Sequence, residues 1–262
     1  MKLKGKTVLV TGASSGLGEQ ICYQAAAKGA SVIACARSTD KLLQVKAMCE
    51  ELSGQPCYAF RVDMSDPQSI DYLVQSIFTN VEKVDCLVNN AGFGLFEEFL
   101  QFDMQKARSM FEVNILGMML LTQKIAVKML NKQSGHIINI ASMAGKMATP
   151  KSTIYSATKY AVIGFSNALR LELKPFGIKV TTVNPGPIET NFFNIADPEG
   201  NYLDKLGSYV LQADRLAEEI VSVIGKNKRE INRPQIMNAA AILYQVFPRL
   251  GDYLAGGIFN KK

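Results

Sequence analysis

Tyr155-Ser156-Ala157-Thr158-Lys159 sets a phenol and an ammonium four residues apart. On a helix the two share one face. An ammonium beside a phenol favours the phenolate, lowering an ordinary pKa of about 10. Such a pair suits proton transfer to an oxygen that gains charge, and its reversal. A single Tyr-x-x-x-Lys among nine tyrosines arises easily by chance, so its weight comes from its company. The apolar run 137–141 delivers Ser142 at its end, and the run 84–88 delivers Asn89-Asn90-Ala91-Gly92. Open sheets of parallel strands hold their ligands at the C-terminal strand ends. Ser142 can therefore hydrogen-bond the same oxygen that Tyr155 protonates.

A second constellation opens the chain. A short β-branched run ends in Thr11-Gly12-Ala13-Ser14-Ser15-Gly16-Leu17-Gly18, and a helical pattern follows at once. Glycines permit positive φ and close backbone approach, and a helix N-terminus offers free N–H groups and a positive dipole to a pyrophosphate. Gly18 allows close helix–strand contact. The end of the second strand separates the two nicotinamide dinucleotides: a carboxylate there binds a ribose 2′-hydroxyl, an arginine a 2′-phosphate. Here the strand ends in Ala36-Arg37-Ser38 and the first carboxylate is Asp40. Arg37, with Ser14, Ser15 and Ser38, therefore points to NADP(H) in preference to NAD(H). Hydride reduction of a carbonyl leaves an oxyanion that needs a proton, which joins the two constellations into one chemistry.

These motifs occur jointly, and in this order and spacing the chain resembles a short-chain dehydrogenase/reductase of the single-domain subgroup over about residues 5–236. The resemblance implies a Rossmann sheet and a role for each matching residue. Tyr155 would be the general acid/base; Lys159 would hold the nicotinamide ribose and lower the tyrosine pKa. Ser142 would orient the carbonyl, and Asn114 would hold a water in the proton relay. Asp63 would contact the adenine, and Asn90, Ala91 and Gly92 would line the adenosine side. Pro185-Gly186-Pro187-Ile188-Glu189-Thr190 would hold the nicotinamide amide, through Pro185, Gly186, Ile188 and Thr190.

The elements that must position these residues are legible as alternation. Strands are expected at 6–11, 31–36, 57–62, 84–88, 136–141, 178–183 and 230–236, and helices at 17–28, 40–52, 67–79, 103–131, 153–174 and 213–226. Strict alternation means βαβ units, hence a doubly wound α/β fold with about seven parallel strands and helices on both faces. Near-continuous apolar strands such as 84–88 fit burial on both sides. Residues 1–236 read as one catalytic domain, 189–208 as a substrate lid, and 237–262 as a helical, basic extension packed on the same domain or on a partner subunit.

Composition excludes several other functions. The 262 residues carry 29 Lys+Arg against 23 Asp+Glu, and most of the excess lies in 226–262, so no basic surface for nucleic acid spans the body. One histidine, His136, cannot supply a histidine metal cluster and reads as part of a buried strand. Five cysteines without a Cys-x-x-Cys indicate neither zinc nor a disulfide framework, and a cytoplasmic setting. No uninterrupted apolar run of membrane-spanning length is present.

Substrate walls are expected from Phe93, Leu95, Phe96, Met143, Met147, Phe192, Phe193 and Tyr202, mostly large and apolar, fitting a medium-sized apolar ketone or secondary alcohol. Lys146 reads as a solvated loop charge. In enzymes of the resembling family the helices at 103–131 and 153–174 pair across a two-fold axis, which implies a homodimer or homotetramer. The Thr-Gly…Asp-Gly-Gly ending of many tetramers is absent, and an apolar tail stands in its place. Leu243, Val246, Phe247 and Leu250 recur at helical spacing, interrupted by Pro248, so two short helices with an apolar side are expected. Two coverings for that side are open: packing on a partner subunit or over the pocket, and peripheral contact with an anionic membrane. An NADP(H)-binding regulatory protein with little turnover is the alternative reading of the whole chain; a panel of ketones with NADPH separates the two.

Overall fold

The computed structural model describes residues 2–196 and 210–256. Among these, seven parallel strands form one sheet in the order β3-β2-β1-β4-β5-β6-β7. They are β1 (Thr7–Thr11), β2 (Ser31–Ala36), β3 (Tyr58–Arg61), β4 (Cys86–Asn89), β5 (Gly135–Ile140), β6 (Ile178–Pro185) and β7 (Glu230–Arg233). The chain steps outward from β1 to β3, then returns to pair β4 on the other side of β1. That reversal opens a crevice at the carboxyl ends of β1 and β4, the general ligand position in doubly wound sheets.

Both faces of the sheet are covered, and the strands alternate between two cores with period two. Val8, Val10, Ile138 and Ile140 point to one side, against Leu17 and Ile21 of helix α1 (Gly16–Ala27), Leu42 and Val45 of α2 (Thr39–Ser53), and Leu216 and Ile220 of α8 (Ala213–Ser222). Leu9, Leu87 and Ile137 point to the other, against Ile70 and Leu73 of α3 (Pro67–Asn80), Leu121 and Ile125 of α5 (Met118–Leu130), and Leu173 of α6 (Thr153–Leu173). Asp66 caps α3, its carboxylate accepting from the N–H of Gln68 at 2.9 Å. Such caps and cores explain why strand and helix positions follow from pattern alone.

The expected helix at 103–131 is not regular. It runs as α4 (Met104–Phe111), a wide π turn at Glu112–Gly117, and then α5. A Cβ on Gly117 would lie 1.8 Å from the carbonyl oxygen of Met64. The helix can therefore lie this close to the loop after β3 only with glycine there. By length and composition Met104–Leu130 could cross a membrane, yet half of it is buried inside the domain.

β7 also ends earlier than expected. Pro234 cannot donate to the ladder, and α9 (Gln235–Val246) begins directly after it, followed by α10 (Pro248–Gly256). The short helix α7 (Phe192–Ala196) starts the expected lid. The remainder of that lid, including Tyr202 and the turn at 197–200, lies outside the described residues, as do Ile258, Phe259, Lys261 and Lys262.

Candidate active site

The glycine loop sits between β1 and α1. Gly12 and Gly16 adopt φ of +65° and +58°, the left-handed region open to glycine. Ser15 is extended and its side chain does not cap α1, so it leaves the first N–H groups of the helix unclaimed. A Cβ on Gly18 would lie 2.2 Å from the carbonyl oxygen of Gly12. Gly18 therefore does not line the cleft; it lets α1 seat against the loop. Asn90 locks the same loop from the other side, its amide donating to the carbonyls of Thr11 at 3.0 Å and Gly12 at 3.2 Å. Thr11 answers, its hydroxyl accepting from the N–H groups of Asn90 at 3.1 Å and Ala91 at 3.0 Å. Thr11 was legible only as the residue before Gly12; its clasp joins residues 79 and 80 positions apart.

One cleft of about 630 Å³ runs along the carboxyl ends of the strands. Gly12, Ser14, Ser15, Gly16 and Leu17 line it, with Arg37 and Ser38 after β2, Asp63 after β3, and Asn90, Ala91 and Gly92 after β4. Ser142, Met143, Tyr155 and Lys159 line its middle, and Pro185, Gly186, Ile188 and Thr190 close it from β6. Arg37 and Ser38 are exposed, while Asp63 is held below the usual carboxylate range by hydrogen bonds from the Ser65 hydroxyl at 2.7 Å and N–H at 2.9 Å. The two positive-φ glycines and the uncapped helix end are of the kind that fits the phosphates of a dinucleotide.

The four residues expected to carry the chemistry converge. Tyr155 and Lys159 stand on the first turns of α6, both nearly buried. The Lys159 ammonium lies 5.7 Å from the centroid of the Tyr155 ring and donates to the carbonyl of Ile140 at 3.0 Å. Burial pushes its pKa down to about 8. Ser142 follows β5; its hydroxyl accepts from the N–H of Ala144 at 3.1 Å and reaches the carbonyl of Pro185 at 3.4 Å. Asn114, on the π turn, stands behind the cleft wall rather than in it. Its carboxamide clasps the backbone of Phe93, accepting from the N–H at 3.0 Å and donating to the carbonyl at 2.8 Å, and it donates to the Thr158 hydroxyl at 3.2 Å. A Cβ on Gly92 would lie 2.9 Å from Asn114 Oδ1 and 3.7 Å from Lys159 Nζ, so a side chain at 92 would press on both groups. Asn114 is buried on the π turn, and such bulges are frequent at functional sites.

At one end the cleft is aromatic. Tyr155 packs edge-on to Phe96 at 5.8 Å and against Phe192 at 5.7 Å, and Phe192 meets Phe193 at 5.2 Å. Phe93, Phe96, Met143, Met147, Phe192 and Phe193 line it as expected. Two expectations need correction. Leu95 is not among the residues that line the cleft; it packs against the buried cluster of Phe102, Ala107, Met110, Ile154 and Tyr155. Lys146 is no solvated charge: it is ion-paired to Glu230, and its side chain is only 14% exposed. The loop after Ser142 folds onto β7, which brings the two together. Sequence reasoning also missed Met237, which lines the cleft from α9; the segment reads as strand up to 236, and only Pro234 hinted otherwise.

The profile of the short chain dehydrogenase family matches residues 6–199. The chain belongs to that family. Among relatives of this short-chain dehydrogenase, an uncharacterized oxidoreductase of Staphylococcus saprophyticus is 35% identical over 190 residues, covering 72% of this chain and 81% of the relative. Dehydrogenase/reductase SDR family member 11 of Gallus gallus is 34% identical over 231 residues, 84% and 90% of the two chains. The solved short-chain dehydrogenase of Sphingobium yanoikuyae in complex with NADPH superposes with a TM-score of 0.80 at 26% identity, covering 94% of each chain. Similar folds hold NADPH in one case and NAD+ in another. The short-chain dehydrogenase described here is thus an oxidoreductase on a Rossmann-type sheet, of a family that works with nicotinamide dinucleotides.

Proposed function

We propose that this short-chain dehydrogenase is an NADP(H)-dependent oxidoreductase acting on an uncharged carbonyl or secondary alcohol of medium size. The observation that carries the substrate class is the cleft's charge. Among the described residues, the charged ones that line the cleft are Arg37, Asp63 and Lys159, all at dinucleotide positions, while the end beyond Tyr155 is aromatic and thioether. Among the described residues a charged substrate would find no partner at that end and would be desolvated there. Arg37 carries the cofactor choice: no carboxylate competes at the end of β2, and a guanidinium can fork onto a 2′-phosphate. Gly12, Ser14, Ser15, Gly16 and Leu17 would hold the pyrophosphate, Asp63 and Asn90–Gly92 the adenosine side, and Pro185–Thr190 the nicotinamide amide.

When bound, the nicotinamide supplies or accepts the hydride. The chain's own residues do the rest. Ser142 holds the substrate oxygen by its hydroxyl. Tyr155 gives that oxygen its proton in reduction and removes it in oxidation. Lys159, buried and cationic, favours the phenolate and binds the nicotinamide ribose. Asn114 fixes the backbone of Phe93 beside the site and orders a water behind Lys159. Phe96, Phe192 and Phe193 exclude bulk water from the reacting oxygen. The functional unit is a homodimer or homotetramer in the cytoplasm. The test is initial rates on a panel of uncharged ketones with each cofactor. NADPH-supported reduction of apolar ketones is expected; faster turnover with NADH, or a preference for carboxylated substrates, contradicts the reading.

A further inference from the structure

The tail helix holds one side chain against the segment that closes the cleft from β6. The Gly186 N–H donates to the carbonyl of Arg233, at the end of β7, at 2.6 Å, and α9 starts at Gln235. A Cβ on Gly186 would lie 2.7 Å from the Met237 sulfur and 3.0 Å from Pro234 Cδ. The first turn of α9 therefore sits on a bare backbone, with the Met237 thioether over it. The residue before Gly186 is Pro185, whose carbonyl the Ser142 hydroxyl reaches at 3.4 Å. Met237 thus stands on the Ser142 side of the site, whereas Phe96 and Phe192 pack on the Tyr155 ring itself. Among the described residues, Met237 is the only one after Phe193 that lines the cleft.

The rest of the tail fixes that position. Met237, Ala241 and Tyr244 lie on one face of α9 at successive turns; Ala241 is buried and Tyr244 half-buried. α10 folds back onto Tyr244: a Cβ on Gly251 would run into its ring, and its hydroxyl donates to Asp252 at 2.9 Å. We infer that Met237 is a specificity-determining residue, the wall that limits the length of the substrate's apolar arm on the Ser142 side. The inference rests on the reading of Tyr155 and Ser142 as a carbonyl site. Met143 and Met147 line the same cleft from the loop after Ser142, so the arm lies among thioethers. Unbranched, polarizable side chains of this kind adapt their shape to a flexible alkyl chain. Up to the Met237 wall each added methylene leaves water; beyond it the chain gains no further burial.

The experiment is calorimetric titration of the full chain, saturated with oxidised dinucleotide, by straight 2-alkanones from 2-butanone to 2-decanone. No hydride is available in that complex, so binding is read without turnover. Wild-type affinity should rise about fourfold per methylene, the effect of about 0.8 kcal/mol per buried CH2, and stop rising at one chain length. Met237→Ala removes Cγ, Sδ and Cε and should lengthen that limit by about three methylenes. Met237→Phe should shorten it, and Met237→Leu should keep it within about one methylene. Dinucleotide affinity in all three should match wild type, which reports a folded cleft. The wild-type limit retained in both Met237→Ala and Met237→Phe overturns the inference, as does a wild type that binds no alkanone or binds all lengths equally. NADPH oxidation with the same ketones separates this result from the ketone reading. Ketones reduced with a limit that ignores residue 237 overturn the wall alone; a limit that moves with residue 237 while no ketone is reduced supports the wall and overturns the ketone reading.

Discussion

At the scale of single residues, the site depends on groups whose environments differ sharply along one cleft. Arg37 is exposed, free to turn onto a 2′-phosphate, whereas Lys159 is buried with a pKa lowered to about 8. A charge-assisted contact of the Arg37 kind contributes roughly 1.5–3 kcal/mol, or about 10- to 100-fold in affinity. Arg37→Ala should therefore cost NADPH affinity by that factor and leave NADH affinity nearly unchanged, as read by fluorescence titration; equal losses for both cofactors would remove Arg37 from the 2′-phosphate. Tyr155, Lys159, Ser142, Arg37 and the glycines were legible because their types and spacing encode chemistry. Thr11, Thr158 and Met237 were not, because their contributions are contacts between segments far apart in the chain. Lys146 was misread for the same reason: a lysine in a loop says nothing of Glu230, which meets it across 84 residues.

At the scale of elements, alternation located the seven strands and the main helices, since the central strands bury both faces and the helices that flank them one stripe. Pattern could not reveal the π turn at Glu112–Gly117, because one extra residue per turn barely alters an apolar periodicity. The turn ends at Gly117, where only glycine fits against the Met64 carbonyl. Gly117→Ala should therefore destabilise the fold by about 1–3 kcal/mol in urea titration and lower turnover by displacing Asn114. An unchanged midpoint would show that the helix has slack there. β5 carries a second device. His136 Nε2 lies 2.8 Å from the Thr181 hydroxyl, and its Nδ1 accepts the N–H of Gly225 at 3.0 Å, so the ring ties β5 to β6 and to the turn after α8. Burial lowers its pKa from 6.5 to about 4. The unfolded chain then binds the extra proton first as pH falls, so this contribution is complete above about pH 6.5 and is lost progressively toward pH 4. The total is about 3 kcal/mol, from 1.36 kcal/mol per pKa unit. Urea titrations at pH 7 and pH 4.5 should show a larger loss for wild type than for His136→Gln; parallel losses would mean that His136 does not titrate in this range.

At the scale of the molecule, the sheet order places every loop that carries chemistry on one edge. β1 and β4 supply the glycine loop and its Asn90 clasp, β5 and β6 supply Ser142 and the Pro185–Thr190 segment, and α6 lays Tyr155 and Lys159 between them. The helices that carry Tyr155, Lys159 and Asn114 pack on one face of the sheet and α1, behind the glycine loop, on the other, so the cleft is complete only when the whole domain is folded. The tail completes the cleft through Met237 while turning an apolar face outward. The central claim is that Tyr155 is the proton donor and acceptor of an NADPH-linked reaction, and one comparison tests it directly: NADPH oxidation by wild type and Tyr155→Phe with the best ketone of the panel. The variant loses a hydroxyl and little volume, so NADPH affinity and thermal stability should be retained, while kcat falls by about 10²–10⁴-fold, the usual contribution of a positioned general acid. Near-normal turnover by Tyr155→Phe, with NADPH bound as tightly as by wild type, would contradict the account.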